Sequence, residues 1–314
     1  MIRHNCRSFV MIRVIFLGTA GSLPTPERGM PAVMVQRGGE RMLFDCGEGT
    51  QRQMMCARSG FMDITSIFLS HFHADHTLGI PGLIQTMNFQ GRTEPLHIYG
   101  PKYVNDYVAI IGSLGYLKPA FEIFAHELKP GDVVEFRGYK VEAFRTFHSV
   151  SSLGYALIED PRPGRFNKQK ALELGVPEGP LFSKLHRGES VIVNGKEIKS
   201  SDVVGETRSG RRIVYTGDSV PSEAFLSILE NADLWISEGT FSDDMADKAA
   251  ETLHSTAGGV AKLAADAKVQ RLVLTHISSR YSQDTSVLFE DARKYYPGVV
   301  IARDFMELEI PLKE

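Results

Sequence analysis

The first half of the chain consists of short apolar runs separated by polar and glycine-rich segments. Val14 to Leu17 is predicted to form a strand, and Ala32 to Gln36 and Arg41 to Phe44 flank Gly38-Gly39, a pattern typical of a β-hairpin. The apolar run Ile67-Phe68-Leu69 indicates a further buried strand. Three helices are predicted in the same half, at Gln51 to Ala57, Leu78 to Phe89 and Pro101 to Leu114.

The second half changes from consecutive strands to an alternation of strands and helices. A short strand is predicted at Leu96 to Tyr99, before the helix Pro101 to Leu114. Consecutive strands are then predicted at Phe121 to Leu128, Asp132 to Phe136, Tyr139 to Phe147 and Leu153 to Ile158. Beyond Arg211, the strands Ile213 to Thr216, Leu234 to Ser237 and Arg271 to His276 alternate with the helices Ser222 to Glu230 and Thr256 to Ala267.

Strand-rich hairpins with helices between them in both halves predict an α/β (α+β) fold. We expect an αββα sandwich, in which two mixed β-sheets pack face to face with helices on the outside. No sharp change of composition divides the halves, so one domain is predicted over residues 11–314. Met11 directly precedes the first strand, and residues 1–10 are therefore predicted to be a non-essential extension.

The segment from Ser70 to His76 follows the buried strand directly and contains His71, His73, Asp75 and His76. Imidazole and carboxylate groups are zinc ligands, and a loop that leaves a strand can turn alternate side chains toward one point. A surface loop that happens to be rich in histidine is the alternative interpretation. Three imidazoles and a carboxylate crowded together without metal would repel one another whenever protonated, which favours a metal site.

Three further ligands stand at strand ends. His148, Asp218 and His276 are each the first strong metal ligand after an apolar strand, so all three can project from the same sheet edge. Any one of them alone would more often be structural. Together with the histidine loop they predict a metal centre with seven ligands.

Composition limits the possible functions. The chain has 314 residues and a formal net charge of −3, which argues against a protein that coats nucleic acid with its whole surface but leaves room for one basic patch. Cys6, Cys46 and Cys56 do not form a disulfide framework or a C-x-x-C site, and a reducing cytoplasm suits them. No apolar run is long enough to span a membrane.

The histidine loop matches the H-x-H-x-D-H signature, and the chain resembles the metallo-β-lactamase superfamily. This resemblance implies that two zinc ions are bound per chain, with Asp218 bridging them. His71, His73 and His148 would bind one ion, and Asp75, His76 and His276 the other. The implied reaction class is metal-assisted hydrolysis, and a centre with this many imidazole and carboxylate ligands suits a phosphate ester.

A basic segment interrupts the strands between residues 160 and 200. Six Lys or Arg residues and two Glu residues lie between positions 162 and 187, so this is where a phosphate backbone would be gripped. The alternative interpretation is a charged surface segment that is solvated and binds nothing. The candidate substrate-binding residues are Arg162, Arg165, Lys168, Lys170, Gly179, Pro180, Lys184 and Arg187.

The same segment is similar to the flexible arm of the tRNase Z family, through Gly164-Arg165-Phe166, Leu174-Gly175-Val176-Pro177 and Gly179-Pro180. His254-Ser255-Thr256 matches a second motif of that family, and Ser237-Glu238-Gly239-Thr240 resembles a third with changes. The resemblance implies an endoribonuclease that cuts precursor tRNA after the discriminator nucleotide. It also implies a homodimer, which we expect to use the helices carrying Met54, Met55 and Met87.

Family analogy assigns three catalytic residues. His254 would donate a proton to the leaving oxygen, and Glu238 would orient it. Asp75 is described in the family as a general base, but a zinc ligand is a poor proton acceptor, so both roles stay open. A role for His254 as the cap of the following helix is the structural alternative. The loop from Pro24 to Gly29 lacks the lysine and asparagine usual in the family, which leaves rejection of a mature CCA end unpredicted.

Two other functions compete with the nuclease. A phosphodiesterase of the same fold that acts on small or cyclic phosphodiesters would not need the basic segment. A zinc-stabilised RNA-binding module without turnover would not need His254 or an open pair of metals.

Overall fold

A computed structural model describes residues 10–114 and 118–313 of the chain. All but the last residue of the predicted N-terminal extension lie outside the described residues. The chain divides into two compact units. The larger unit contains residues 10–114, 118–135, 141–157 and 212–311. The smaller unit contains residues 136–140, 158–211 and 312–313.

The first sheet has seven strands in the order β18-β1-β3-β4-β5-β6-β7. Their bounds are β1 Ile12–Gly18, β3 Ala32–Arg37, β4 Glu40–Phe44, β5 Ile64–Phe68, β6 Leu96–Gly100, β7 Ile123–Glu127 and β18 Glu307–Ile310. The predicted hairpin is confirmed, since β3 and β4 pair antiparallel with Arg37 opposite Glu40. From β4 to β7 the strands are parallel, and they therefore end at the same edge of the sheet.

The second sheet also has seven strands, in the order β17-β15-β14-β13-β10-β9-β8. Their bounds are β8 Val133–Phe136, β9 Tyr139–Arg145, β10 Leu153–Glu159, β13 Arg212–Tyr215, β14 Leu234–Glu238, β15 Leu272–Thr275 and β17 Val300–Ile301. The predicted strand–helix alternation is confirmed, because β13, β14 and β15 run parallel. A small parallel pair joins β2 Ala20–Gly21 to β16 Ile277–Ser278.

Aromatic side chains fill the space between the two sheets. Phe44 and Phe68 of the first sheet lie 6.1 and 5.2 Å, centroid to centroid, from the ring of Tyr155 on the second sheet. The Tyr155 hydroxyl donates to the Leu69 carbonyl at 2.6 Å. Face-to-face packing of two mixed sheets, with helices outside, confirms the predicted αββα sandwich.

Helices cover the outer faces of the sheets. Their bounds in the larger unit are α1 Thr50–Ala57, α2 Ala74–Thr77, α3 Gly79–Phe89, α4 Val104–Gly112, α8 Leu226–Leu229, α9 Ala246–Thr252, α10 Ala257–Asp266 and α11 Ser286–Arg293. The predicted helix Ser222 to Glu230 is a 3-10 turn over Glu223–Phe225 followed by α8. In the described parts of the chain, no helix has the length and hydropathy needed to cross a membrane.

The three methionines on the helices that are expected at a subunit interface have different environments. Met54 and Met87 are fully buried in the core cluster between the first sheet and its helices, whereas Met55 is 51% exposed. The side chains of Met54 and Met87 therefore pack inside the fold, and the interface expected at these helices stays a prediction that only their outer faces could serve. Helical spacing alone did not distinguish the inner face from the outer face.

The smaller unit has its own secondary structure and core. It contains α5 Lys168–Glu173, α6 Pro180–His186, α7 Ser200–Val203 and a hairpin of β11 Val191–Val193 and β12 Lys196–Ile198. The buried core residues are Ala171, Val176, Leu185, Val191, Ile198 and Val203. Arg211 donates to both carboxylate oxygens of Glu159, at 2.7 and 2.9 Å, where both side chains are buried. Glu159 and Arg211 lie at the two ends of the segment 158–211, so this ion pair joins the point where the chain enters the smaller unit to the point where it leaves.

Candidate active site

The four ligands of the histidine loop lie just beyond β5. His73 has an extended backbone, and the helical turn of α2 begins at the next residue. This change of backbone lets His71 and His73 belong to one group of side chains and Asp75 and His76 to another. His71 and His76 are fully buried, so the loop is part of the interior rather than a solvated surface segment.

The first group consists of His71, His73 and His148. One nitrogen of each ring lies within 4.8 Å of the corresponding nitrogens of the other two. His73 Nδ1 is 3.0 Å from His71 Nε2 and 3.2 Å from His148 Nε2. His148 comes from the segment after β9, so two different sheets contribute to this group.

The second group consists of Asp75, His76, Asp218 and His276, again with one ligand atom of each within 4.8 Å of the others. Asp218 Oδ2 lies 3.1 Å from His276 Nε2 and 3.2 Å from His76 Nε2. The same oxygen is 3.8 Å from His71 Nε2, which belongs to the first group. Asp218 therefore stands between the two groups, where a bridging ligand is expected.

The chemistry of these side chains fits divalent metal ions. Five imidazoles and two carboxylates are the nitrogen and oxygen ligands that zinc takes in proteins. Asp218 Oδ1 is buried and has no hydrogen-bond partner among the described residues, and the 3.2 Å contact of the buried His76 Nε2 with Asp218 Oδ2 lacks hydrogen-bond geometry. Buried polar atoms are nearly always satisfied, so two orphaned atoms in one cluster indicate a place for a cation.

Buried carboxylates surround the cluster and fix its histidines. Asp45, at the end of β4, lies 2.7 Å from His76 Nδ1 and accepts hydrogen bonds from Ser70 N–H and the Tyr215 hydroxyl. A carboxylate on Nδ1 orients the imidazole so that Nε2 faces the metal site. Sequence reasoning missed Asp45, although an acid directly after an apolar strand was the signal that identified Asp218.

The electrostatics of the cluster favour positive charge near Asp218. Burial acts to lower the pKa of His76, but the carboxylates of Asp218 and Asp45 raise this pKa well above its usual value. Burial would raise the pKa of Asp218, whereas His276 and His76 hold it well below the usual range. The pKa of His71 is lowered by burial and then by His76. A carboxylate that stays ionised amid buried imidazoles is suited to binding a cation.

His254 and Glu238 form a separate pair beside the cluster. His254 Nδ1 lies 3.1 and 3.2 Å from the two carboxylate oxygens of Glu238. Glu238 is almost completely buried and also accepts hydrogen bonds from the Ser219 and Ser255 amides and the Thr240 hydroxyl. Burial acts to lower the pKa of His254, but the Glu238 carboxylate raises it to about 9. A histidine of this kind is protonated at neutral pH, as a general acid must be.

The capping alternative for His254 does not match the geometry. The N-cap of α10 is Thr256, whose hydroxyl accepts from the Gly259 amide at 3.2 Å. The His254 ring instead lies 5.0 Å from the His148 ring and 5.3 Å from the His276 ring, centroid to centroid. His254 thus belongs to the active-site cluster.

Thr240 links the two parts of the site and was not singled out from the sequence. Its hydroxyl donates to Glu238 Oε2 at 2.6 Å and lies 2.9 Å from His276 Nδ1. One hydroxyl thereby positions the carboxylate that holds His254 and the imidazole of a candidate metal ligand. The signal was present in the Ser237-to-Thr240 stretch, where only Glu238 was assigned a role.

The eight candidate substrate-binding residues all lie in the smaller unit. Arg165, Lys168 and Lys170 line one cavity of about 570 Å³. Lys184 lies on α6 and Arg187 at its C-terminal end, and Gly179, with φ 138°, precedes Pro180 at its start. The Arg162 guanidinium donates to the Lys313 carbonyl.

Several of these cations have carboxylate partners within the unit. Lys168 pairs with Glu178 at 2.8 Å and Arg187 with Glu189 at 3.0 Å, all four side chains being well exposed. Exposed ion pairs of this kind contribute little to stability and can be exchanged for phosphate contacts. Lys170 and Lys184 are exposed. The unit therefore presents a basic surface on a small folded core.

Comparisons with known proteins agree on the fold. The model described as Anti-Pycsar protein Apyc1 matches residues 12–162, and the β-lactamase superfamily domain matches residues 190–277. A metallo-β-lactamase fold protein from Bacillus subtilis superposes with a TM-score of 0.69 at 21% identity, covering 95% of this chain and 99% of that one. The fold and the ligand cluster together define a hydrolase of the metallo-β-lactamase class.

More similar relatives specify the family. Ribonuclease Z of Methanosarcina acetivorans is 57% identical over 303 residues, which cover 96% of this chain and 99% of the relative. Ribonuclease Z of Archaeoglobus fulgidus is 48% identical, with 97% and 100% covered. Human tRNase Z, short form, is 31% identical with a TM-score of 0.70, and 95% and 99% of the two chains are covered. The chain belongs to the ribonuclease Z family.

Proposed function

We propose that this protein removes the 3′ trailer from precursor tRNA. It hydrolyses the phosphodiester after the discriminator nucleotide and leaves a 3′-hydroxyl on the tRNA and a 5′-phosphate on the trailer. The observation that carries the proposal is the position of the His254–Glu238 pair beside the cluster of seven ligands, in a chain of the ribonuclease Z family. A metal-binding module without turnover has no use for a buried carboxylate that holds a histidine protonated.

Two zinc ions per chain are proposed for the ligand cluster. His71, His73 and His148 would hold the first ion, and Asp75, His76 and His276 the second, with Asp218 close to both groups of ligands. Zinc bound there would lower the pKa of water to about 7 and would neutralise charge on the phosphate. Asp45 and Thr240 keep the second nitrogens of His76 and His276 occupied, so that the first nitrogens stay directed at the ions.

His254 is proposed as the proton donor to the leaving 3′ oxygen. Its Nδ1 is engaged by Glu238, which leaves Nε2 for the substrate. Glu238 is a positioning residue, because three hydrogen bonds other than the one to His254 fix the orientation of its carboxylate. Asp75 is assigned as a ligand rather than a base, since its Oδ2 accepts the Ser22 amide at 3.0 Å and lies 3.4 Å from His276 Nε2.

The smaller unit is proposed to be the arm that grips the tRNA body. Its basic side chains would neutralise backbone phosphates, which fixes position and supplies affinity without sequence information. The Arg165, Lys168 and Lys170 side chains share one cavity and are the foremost candidates. The arm takes no part in the chemical step.

A cytoplasmic homodimer is the proposed state of the protein. The buried Cys46 and exposed Cys56 are free thiols, as a reducing compartment allows. Met55, on the outer face of α1, is the one methionine of the expected interface whose side chain is available. Sedimentation at micromolar concentration should give twice the chain mass, and a monomer there would refute the dimer.

The experiment that tests the function maps the cut on an end-labelled precursor tRNA. We expect one cleavage, directly after the discriminator nucleotide, that is lost on chelation and restored by zinc. Analysis of the ends should give a 3′-hydroxyl on the tRNA. Turnover of a small chromogenic phosphodiester together with an uncut precursor would favour the small-phosphodiester activity instead.

A further inference from the structure

A cavity of about 680 Å³ opens beside the ligand cluster, on the side of His148. Its walls come from three places in the larger unit: the start of the segment after β6, the turn between β7 and β8, and the segment between β9 and β10. Leu253, the neighbour of His254, completes the lining. The cavity thus adjoins both a candidate metal ligand and the residue next to the candidate proton donor.

Three cations and one anion line this cavity. Lys102, Lys129 and Arg145 are all exposed, and Glu127 is the single carboxylate in the lining. Within the described ranges, no carboxylate lies at ion-pair distance from any of the three cations. Unpaired cations along one cavity attract a phosphate backbone, and they are not needed for the metal centre.

Apolar side chains accompany the cations. Val150 and Leu253 expose 42% and 38% of their surface, and the half-buried Phe147 lies between Arg145 and His148 in the chain. The Arg145 guanidinium lies over the Phe147 ring, 5.7 Å from its centroid. Grooves that hold single-stranded nucleic acid combine these two elements, cations for the backbone and flat or apolar side chains for the bases.

The wall that carries Phe147 is fixed before any ligand binds. The Phe147 amide donates to the Ser219 hydroxyl at 2.9 Å, and its carbonyl accepts from the Val220 amide at 2.9 Å. The Thr146 hydroxyl donates to Ser152 at 2.7 Å across the same segment. A preformed wall orders little on binding and so retains more of the contact energy as affinity.

From these observations we propose that the cavity binds the single-stranded 3′ trailer, immediately downstream of the scissile phosphate. The proposal rests on the precursor-tRNA cleavage proposed above. A side-chain-lined cavity of this volume admits a single strand but not a duplex. The discriminator nucleotide is joined directly to the acceptor-stem duplex, whereas a trailer is a single strand that can enter the cavity beside His148 and contact Arg145, Lys129 and Lys102, which line it.

The test compares two substrates that share one tRNA body, with trailers of one nucleotide and about eight nucleotides. For the unaltered, zinc-loaded protein we expect a higher kcat/KM on the long trailer. The double variant Lys102→Ala with Lys129→Ala should lose most of this advantage, with kcat/KM on the long trailer falling by roughly fivefold or more. Because each phosphate contact on a single strand contributes about −0.7 to the log–log salt slope, the slope for the long trailer should flatten by about 1.4.

Matched variants separate the cavity from general charge. Lys262→Ala removes an exposed lysine from α10 and should leave the advantage of the long trailer intact. Lys102→Arg with Lys129→Arg, which retains both charges, should also keep it.

Four results would overturn the proposal. The first is that the unaltered protein cleaves both trailers with equal efficiency. The second and third are that the double variant loses the same efficiency on both substrates or loses none. The fourth is that the loss in the double variant depends on the discriminator base. The last result would place the upstream nucleotide in the cavity. An unaltered protein that cuts neither substrate would refute the precursor-tRNA activity itself, which is a different outcome from cutting both equally.

Discussion

The ligand cluster and the basic arm differ in structure as they differ in task, which is hydrolysis for the cluster and binding of the substrate for the arm. In the cluster, the ligands His71, His76, Asp218 and His276 are buried, and neighbouring carboxylates and hydroxyls hold their remaining polar atoms. In the arm, Lys168 and Arg187 are exposed, and their carboxylate partners Glu178 and Glu189 are exposed as well. Hydrolysis of one phosphodiester requires side chains in fixed positions, whereas binding a polyanion requires a positively charged surface.

Burial explains why the cluster needs so many supporting groups. Asp45 and Glu238 are carboxylates with almost no exposed surface, and a buried charge is tolerated only when it is paired and hydrogen-bonded. Ser70, His76 and Tyr215 hydrogen-bond to Asp45, and Ser219, Thr240, His254 and Ser255 hydrogen-bond to Glu238. Such networks rigidify a site when every member is satisfied.

The largest expected effect comes from breaking the cluster itself. We expect His71→Ala or His148→Ala to abolish hydrolysis of every substrate while the circular dichroism spectrum is retained, because the surrounding hydrogen bonds survive the loss of one ligand. His97→Ala, a histidine outside the cluster, is the control. Elemental analysis should find about two zinc ions per unaltered chain, and no more than trace transition metal would refute the assignment.

Removing the arm should separate binding from chemistry. Replacement of residues 162–188 by a short Gly-Ser linker is expected to cripple precursor-tRNA cleavage, because the phosphate contacts are lost, and to leave hydrolysis of a small chromogenic phosphodiester in place. The salt dependence of RNA binding should flatten by about 0.9 per lost duplex phosphate contact. An armless protein that cuts the precursor as well as the intact one, with the same salt slope, would contradict this role.

The proton donor should affect only the chemical step. His254→Ala is expected to slow cleavage by about 10²- to 10⁴-fold, the usual contribution of a general acid, with zinc content and RNA affinity nearly unchanged. Single-turnover kinetics and a filter-binding assay measure the two quantities. Loss of affinity with an unchanged turnover rate would make His254 a binding residue.

A smaller effect is expected from the carboxylate behind His76. Asp45→Asn keeps the shape but weakens the hold on His76 Nδ1, and it should lower zinc affinity or activity by roughly 10- to 100-fold. Competition with a chelator reports the affinity. Asp63→Asn, at an exposed carboxylate that pairs with Arg41, should change neither, and an Asp45 variant with zinc affinity as high as the unaltered protein would remove Asp45 from the metal site.

Much of the sandwich and the members of the cluster could be predicted because each depends on a local pattern. His148, Asp218 and His276 were found by their places after apolar strands, and the structure brings them together with the histidine loop. Asp45 and Thr240 were missed because their importance lies in contacts with residues 31 and 36 positions away. The structure of the arm was also missed, since its elements are only three to seven residues long and carry little periodicity.

The ion pair between Glu159 and Arg211 allows the length of the arm to vary. These two residues hold the ends of the inserted segment side by side through their own bidentate pair. Lengthening a closed loop is inexpensive, about 0.6 kcal/mol for each doubling. Shorter, longer or differently charged excursions can therefore be grafted between positions 159 and 211 without redesigning the catalytic scaffold.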